Sequence, residues 1–171
     1  MLKHRVEYLR VRRDEDAAAA AALVWEFFDY LRDHFPDHAE ALESYIGGRG
    51  IAGEIASLTT HFNPPDGECI LAKLDGEPVG TLMLRRIDED LAELNRMYVR
   101  PSARGHGIGR GLCERLIEAA HELGFHELRL EALDEGIEAL PLYRKLGFTT
   151  DPDPTDFARE HETVVSLRRA V

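Results

Sequence analysis

From Arg5 to Val11 polar and apolar positions alternate along β-forming residues, which predicts a strand. The acidic cluster Asp14-Glu15-Asp16 follows, and it is expected to supply an N-cap and negative charge for a helix start. Beyond Ala17, the residues Leu23, Val24, Phe27, Phe28 and Leu31 recur at helical spacing, and Pro36 marks the end. Residues 37–66 open helically through Ala41, Leu42 and Tyr45. They then meet Gly47-Gly48-Arg49-Gly50, a short apolar stretch and the turn Pro64-Pro65-Asp66-Gly67, so their pattern fixes no single element.

The next segments, Glu68 to Leu74, Val79 to Ile87 and Leu91 to Val99, are separated by the turns Asp75-Gly76-Glu77 and Asp88-Glu89-Asp90 and predict an antiparallel meander. A glycine-rich turn leads into a helix whose apolar stripe runs Ile108, Leu112, Leu116, Ile117, Ala120, Leu123 and stops at Gly124. Leu128 to Ala132 is a further strand. A second stripe, Ala139, Leu142, Tyr143 and Leu146, ends at Gly147; Pro141 inside it places the helix start near Ile137 to Ala139. Phe148 to Thr150 starts another strand, Asp151 to Asp156 reads as a proline-rich loop, and Thr163 to Leu167 closes the chain.

With 171 residues the chain fits one domain, residues 1–171, large enough to fold without disulfides or structural metal. No apolar run approaches the roughly 20 residues needed to span a bilayer, and the basic start Met1-Leu2-Lys3-His4-Arg5 lacks the apolar core of a secretory signal. The expected compartment is the cytoplasm. Cys69 and Cys113 lie far apart and read as buried thiols. A net charge of −11 argues against a nucleic-acid surface and suits cationic substrates as well as plain solubility. His34 and His38 are four apart, but Pro36 between them and the lack of a third ligand favour solvated histidines, and no metal is expected.

The chemistry concentrates after the third strand of the meander. Val99-Arg100-Pro101-Ser102-Ala103-Arg104-Gly105-His106-Gly107-Ile108-Gly109-Arg110 leaves a strand, turns on glycines and enters a helix. Such a turn aims unpaired N–H groups and a positive helix end at one spot, where an anion belongs. Arg104 and Arg110 add charged donors. The lysine of a Walker loop is missing after Gly109. A dinucleotide fingerprint is broken by Arg110 in one register and by Leu112 in the other.

These residues resemble the GNAT family of N-acetyltransferases. Its motif, Arg or Gln, two residues, Gly, one residue, then Gly or Ala, is met by Arg104-Gly105-His106-Gly107-Ile108-Gly109. A second signature, alanine, two residues, Leu-Tyr, then Leu-Gly-Phe, is met by Ala139-Leu140-Pro141-Leu142-Tyr143-Arg144-Lys145-Leu146-Gly147-Phe148. The family often has asparagine three residues before that alanine, where this chain has Gly136.

The resemblance implies an α/β (α+β) fold, a mixed, mostly antiparallel sheet of about seven strands with flanking helices, splayed between the fourth strand (Leu91 to Val99) and the fifth (Leu128 to Ala132). It implies that acetyl-coenzyme A lies in that gap, its pantetheine arm on Met97, Tyr98 and Val99. The pyrophosphate would sit on Arg104, Gly105, His106, Gly107, Ile108, Gly109 and Arg110. Tyr143 would touch the cofactor and protonate the departing thiolate, and Glu93 stands where some members keep a general base, with a solvated carboxylate as its other reading. The expected activity is acetyl transfer to a small-molecule amine or a lysine-bearing protein by a monomer or homodimer; a non-catalytic acetyl-coenzyme A sensor is the alternative. The late loop and the first helices would build the acceptor site; the acidic turn Asp88-Glu89-Asp90 and the loop Asp151 to Asp156 read either as a rim for a cationic substrate or as solvated loops.

Overall fold

The alternation at the amino terminus gives β1 (Val6–Arg10), and the helical stripe after it gives α1 (Asp14–His34). The computed structural model describes residues 3–48, 50–133 and 139–171. The expected helix start near Ile137 and the departure at Gly136 lie outside them. A 3-10 turn at Pro36–His38 leads to α2 (Ala39–Gly48), α3 (Ile51–Ala56) and α4 (Leu58–His61). The meander is β2 (Gly67–Leu74), β3 (Glu77–Arg86) and β4 (Leu91–Val99). Then follow α5 (Ile108–Glu122), β5 (Glu127–Leu133), α6 (Ala139–Lys145), β6 (Thr149–Thr150), α7 (Asp156–Glu160) and β7 (Val164–Ala170).

The seven strands form one sheet in the order β1-β2-β3-β4-β5-β7-β6, with β4 and β5 parallel and every other pair antiparallel. This is the mixed sheet that the resemblance implied. Both faces are covered, which is why the central strands are apolar on consecutive positions as well as alternate ones. Ile70, Leu82, Leu84, Ala92 and Leu94 pack under Ile108, Leu112 and Leu116 of α5. Leu71, Met83 and Tyr98 look the other way, against Leu23, Val24 and Phe28 of α1.

Three expectations are corrected. The acidic cluster does not cap α1: Arg13 is the N-cap residue and makes no side-chain cap bond, while Asp14, Glu15 and Asp16 occupy the first turn at the positive helix end, where Asp16 also accepts from Arg13 at 3.0 Å and pairs with Lys73 at 3.5 Å. His38 is buried at 6% exposure, beside the Phe35 ring, and is no solvated histidine. The segment expected to be only loop runs into α7, capped by the Thr155 hydroxyl, which accepts from the Ala158 N–H at 3.1 Å. Cys69 and Cys113 are free and buried as expected, and burial pushes each thiol up to about 12.

Gly67 opens β2 where no side chain fits. A Cβ there would stand 2.3 Å from the Leu84 carbonyl oxygen and 3.3 Å from the Phe62 Cα, both backbone atoms that cannot turn aside. Gly67→Ala is therefore expected to destabilise the protein by about 1–3 kcal/mol or more. Thermal denaturation checks this, with a fall in Tm of several degrees as the expected reading.

Candidate active site

β4 and β5 share only four residue pairs, Leu91 to Leu94 with Glu127 to Leu130. Beyond them the strands part, so Asn95 to Val99 of β4 turn an unpaired backbone edge towards the gap. Such an edge is a template for another extended chain. Within β4 the register shifts: Asn95 faces Met83 and Tyr98 faces Thr81, leaving Arg96 and Met97 opposite the single Leu82. Arg96 takes the left-handed conformation, φ 59°. This is a bulge, which frees a residue from the ladder and re-aims the backbone beside it.

The gap opens into a cavity of about 430 Å³ lined by Met97, Tyr98 and Val99 from β4 and by Leu130 to Leu133 from β5. Its floor at one end is the start of α5. Gly107 is the N-cap residue with φ 71°, no side chain caps it, and the first intrahelical bond runs from the Gly111 N–H to the Gly107 carbonyl at 3.0 Å. The N–H groups of Ile108, Gly109 and Arg110 thus precede any intrahelical acceptor and face the cavity mouth with the positive helix end. Gly105 has φ 85°, and Cβ atoms placed on Gly105 or Gly107 would meet only open space, so the cradle has room for a phosphate-sized anion.

Arg104 lines the same mouth. Its Nε donates to the Val99 carbonyl at 3.2 Å, its Nη1 to the Tyr30 hydroxyl at 3.3 Å, and its guanidinium lies 4.9 Å from the Tyr30 ring centroid. Arg110 also lines it and pairs with Glu114 one turn on at 2.7 Å.

Tyr143, in the second turn of α6, lines the same cavity. It is 7% exposed and its ring meets Phe148 edge-on at 6.0 Å. Burial pushes its hydroxyl well above the ordinary tyrosine range, and Cys113 adds in the same direction. At neutral pH this phenol carries its proton.

Comparison with known proteins decides what this cleft belongs to. The profile of the Acetyltransferase (GNAT) family matches residues 18–148. This chain is a member of the GNAT acetyltransferase family. It is 33% identical over 141 residues to a protein of Azospirillum brasilense named IAA acetyltransferase, covering 76% of this chain and 91% of that protein. A Schizosaccharomyces pombe protein named as an uncharacterised N-acetyltransferase is 30% identical over 107 residues, which are 61% of this chain and 66% of the yeast protein, just under two thirds of its length. The fold matches the crystal structure of the PaiA N-acetyltransferase of Thermoplasma acidophilum in complex with coenzyme A with a TM-score of 0.71 at 18% identity, covering 98% and 99% of the two chains.

Within this GNAT fold, the residues singled out from sequence on β4, α5 and α6 converge on one cavity. His106 is apart: its imidazole Nδ1 meets the Ala103 carbonyl at 3.0 Å, its ring sits edge-on to His4 at 5.0 Å, and it does not line the cavity. Glu93 lines the cavity at 2% exposure, yet its carboxylate accepts from Arg129 at 2.7 and 3.0 Å and from Arg85 at 3.4 Å. Arg85 in turn donates to Glu54 of α3 at 3.2 Å, and Glu54 accepts from Arg96 at 2.6 Å.

The sequence reading passed over two features of this acetyltransferase. Glu131, one residue past the last β4–β5 pair, lines the cavity at the fork and accepts from the Thr155 hydroxyl. Phe157 lines it from α7. A signal existed for the first. Glu93 and Asn95 on one strand, Arg129 and Glu131 on its neighbour, place polar residues on one inward face of the sheet's middle, where core packing calls for apolar ones.

Among the described residues no helix is long and apolar enough to cross a membrane, and no group of three His, Cys, Asp or Glu could hold a metal ion.

Proposed function

We propose that this GNAT chain moves an acetyl group from acetyl-coenzyme A to an amine by direct attack, with Tyr143 as the acid. The observation that carries the reading is the meeting of three parts on one cleft: an unpaired β4 edge, the bare start of α5 and a buried, protonated phenol. The β4 edge suits the amides of a pantetheine arm. The α5 start, with Arg104, suits a pyrophosphate.

The amine nitrogen attacks the thioester carbonyl carbon, a C–N bond forms and the C–S bond breaks. Main-chain N–H groups at the bulge near Met97 meet the charge growing on the carbonyl oxygen, worth about 2.7–4 kcal/mol for comparable donors in acyl transfer. Tyr143 gives its proton to the leaving sulfur and regains one as the nitrogen sheds its own to solvent. The products are an acetamide and free coenzyme A.

Glu93 takes a positioning role in this reading. Both of its oxygens accept from guanidiniums, Oε2 from Arg129 and Oε1 from Arg85, so the carboxylate ties β5 and β3 to β4 on either side of it.

Calorimetric titration with acetyl-coenzyme A, coenzyme A and NADH tests the proposal. Binding of both coenzyme A species without NADH, followed by acetyl loss in the presence of amines, is expected. Binding without turnover on any amine would make the chain a sensor, and no binding would overturn the reading. Arg104→Ala should raise the KM for acetyl-coenzyme A about tenfold or more, the scale of a hydrogen bond to a charged group, with Tm little changed. An unchanged KM would remove the pyrophosphate from this end of the cleft.

A further inference from the structure

Resting on the acetyl-transfer reading, we infer that Glu54 of α3 is a positioning residue for the reaction: through the Arg96 guanidinium it holds the β4 bulge in the register that aims the main-chain groups near Met97 at the thioester carbonyl. Side-chain parity along β4 reveals what the bulge does. Leu94, Met97 and Val99 pack on the α5 side of the sheet, and Tyr98 packs on the α1 side. Leu94 and Met97 are three residues apart, and a strand of period two cannot turn both to one face without an extra residue between them. Arg96 takes up that residue. Its neighbours Met83 and Phe62 belong to the α1 side, whereas regular alternation from Leu94 would have sent its side chain towards α5. Were the bulge to slip by one position, the side chains after it would change face and the main chain bordering the gap would turn with them.

The bulge needs an anchor. Arg96 sits at φ 59°, a conformation that residues with a Cβ resist and that persists only where the surroundings impose it. The anchor is its own side chain, 3% exposed. Nη2 donates to the Glu54 Oε2 at 2.6 Å, Nη1 lies 3.8 Å from the Met83 sulfur, and the guanidinium lies 5.2 Å from the Phe62 ring centroid. The other Glu54 oxygen accepts from Arg85 of β3 at 3.2 Å, so one carboxylate clamps β3 and β4 beside the bulge. Glu54 is itself fixed, because Ile51 and Ile55, one turn apart on α3, are buried in the core.

A buried ion pair adds little stability, since desolvation offsets the attraction, and its better attested use is to specify one arrangement over another. Here that arrangement is the bulge, and in the acetyl-transfer reading the bulge borders the reacting carbonyl. Glu54 touches neither substrate nor cofactor in this account and acts through Arg96 alone.

The test measures kcat and the KM for acetyl-coenzyme A in the purified protein, using the fastest acceptor among 2-phenylethylamine, spermidine, phenylalanine and a lysine-bearing peptide, beside calorimetric binding of acetyl-coenzyme A. All rates are taken well below the Tm of each variant. Glu54→Gln should lower kcat about tenfold or more, since a misplacement of about 1 Å can cost about 10²-fold, with the KM and the calorimetric Kd for acetyl-coenzyme A within a few-fold. Added to that variant, Arg96→Gly should raise kcat again by about fivefold or more, because glycine takes a positive φ freely and needs no anchor, whereas Arg96→Ala should not. Both second substitutions remove the same guanidinium, so a role confined to stability or charge would move them together. Should Glu54→Gln fail to fold, the contrast is read in otherwise wild-type protein, where Arg96→Gly should turn over faster than Arg96→Ala by about fivefold or more. Equal turnover of the glycine and alanine variants, or a Glu54→Gln kcat within a few-fold of wild type, overturns the inference and leaves acetyl transfer standing. Wild-type protein that fails to bind acetyl-coenzyme A, or binds it and acetylates none of the four amines, brings down both.

Discussion

Tyr143→Phe is expected to lower kcat about 10²–10⁴-fold, the usual contribution of a positioned general acid, while the KM for acetyl-coenzyme A stays within a few-fold. The phenylalanine keeps the ring that packs on Phe148 and loses only the hydroxyl, so the fold and the cleft wall should survive. Loss of kcat without loss of affinity is the signature of an interaction made in the transition state. The pH profile sharpens the test. Burial raises the Tyr143 pKa above its ordinary 10.0, which favours the protonated form, so the acid is present throughout the neutral range and is lost only as pH climbs past that raised value. Turnover should rise with pH as the amine loses its proton and should show no falling limb below about pH 10. A falling limb centred near pH 8, or wild-type turnover in the phenylalanine variant, would place the acid elsewhere.

Glu93→Ala should destabilise the protein by about 3–5 kcal/mol, because it strands a guanidinium inside. Arg129, with its side chain 13% exposed, loses the partner of its two shortest bonds, and Arg85 loses one of its two carboxylates. For a chain of this length that is a fall in Tm of roughly 6–20 °C. Glu93→Gln separates structure from chemistry, since the amide still accepts from Arg129 but cannot act as a base. A positioning residue predicts a lowered Tm with kcat within a few-fold of wild type. A hundredfold loss of kcat at preserved Tm would restore Glu93 as the base.

Most of the sheet was legible because its signals are local and repeated. Alternation located β1, runs bounded by the turns at Asp75-Gly76-Glu77 and Asp88-Glu89-Asp90 located β2 to β4, and Gly124 and Gly147, both at positive φ, mark where α5 and α6 stop. The anion cradle was legible for the same reason: Gly105 and Gly107 adopt φ values that side chains resist, so their spacing in the sequence reports backbone shape directly. Among α2 to α4, the first was legible in its opening, because Ala41, Leu42 and Tyr45 fall at helical spacing within Ala39–Gly48, but α3 and α4 were not. The last two are 6 and 4 residues long, too short for a 3.6-residue period to declare itself, and Gly50 at φ 61° starts a new axis between α2 and α3. α7 was hidden by Pro152 and Pro154, which mark a loop correctly but say nothing of the single turn after it, where Phe157 lines the cavity. Glu93 showed the opposite problem. Its position was legible and its partners were not, because Arg85 and Arg129 reach it only once β3 and β5 are set on either side.

The four-pair seam between β4 and β5 has a mechanical consequence. Strands β1 to β4 and strands β5, β7 and β6 each form an extensively paired plate, and along the sheet the two plates are stitched only at one end. A sheet built this way resists shear within each plate and yields most easily by widening like a clothes peg, with the seam as its spring. A molecule lying along the open edge of β4 and touching β5 would fasten the free end and complete the lattice that the protein leaves open. Slowed amide exchange at Glu127 to Leu130 and Leu91 to Leu94, remote from any phosphate contact, would be the trace of that fastening.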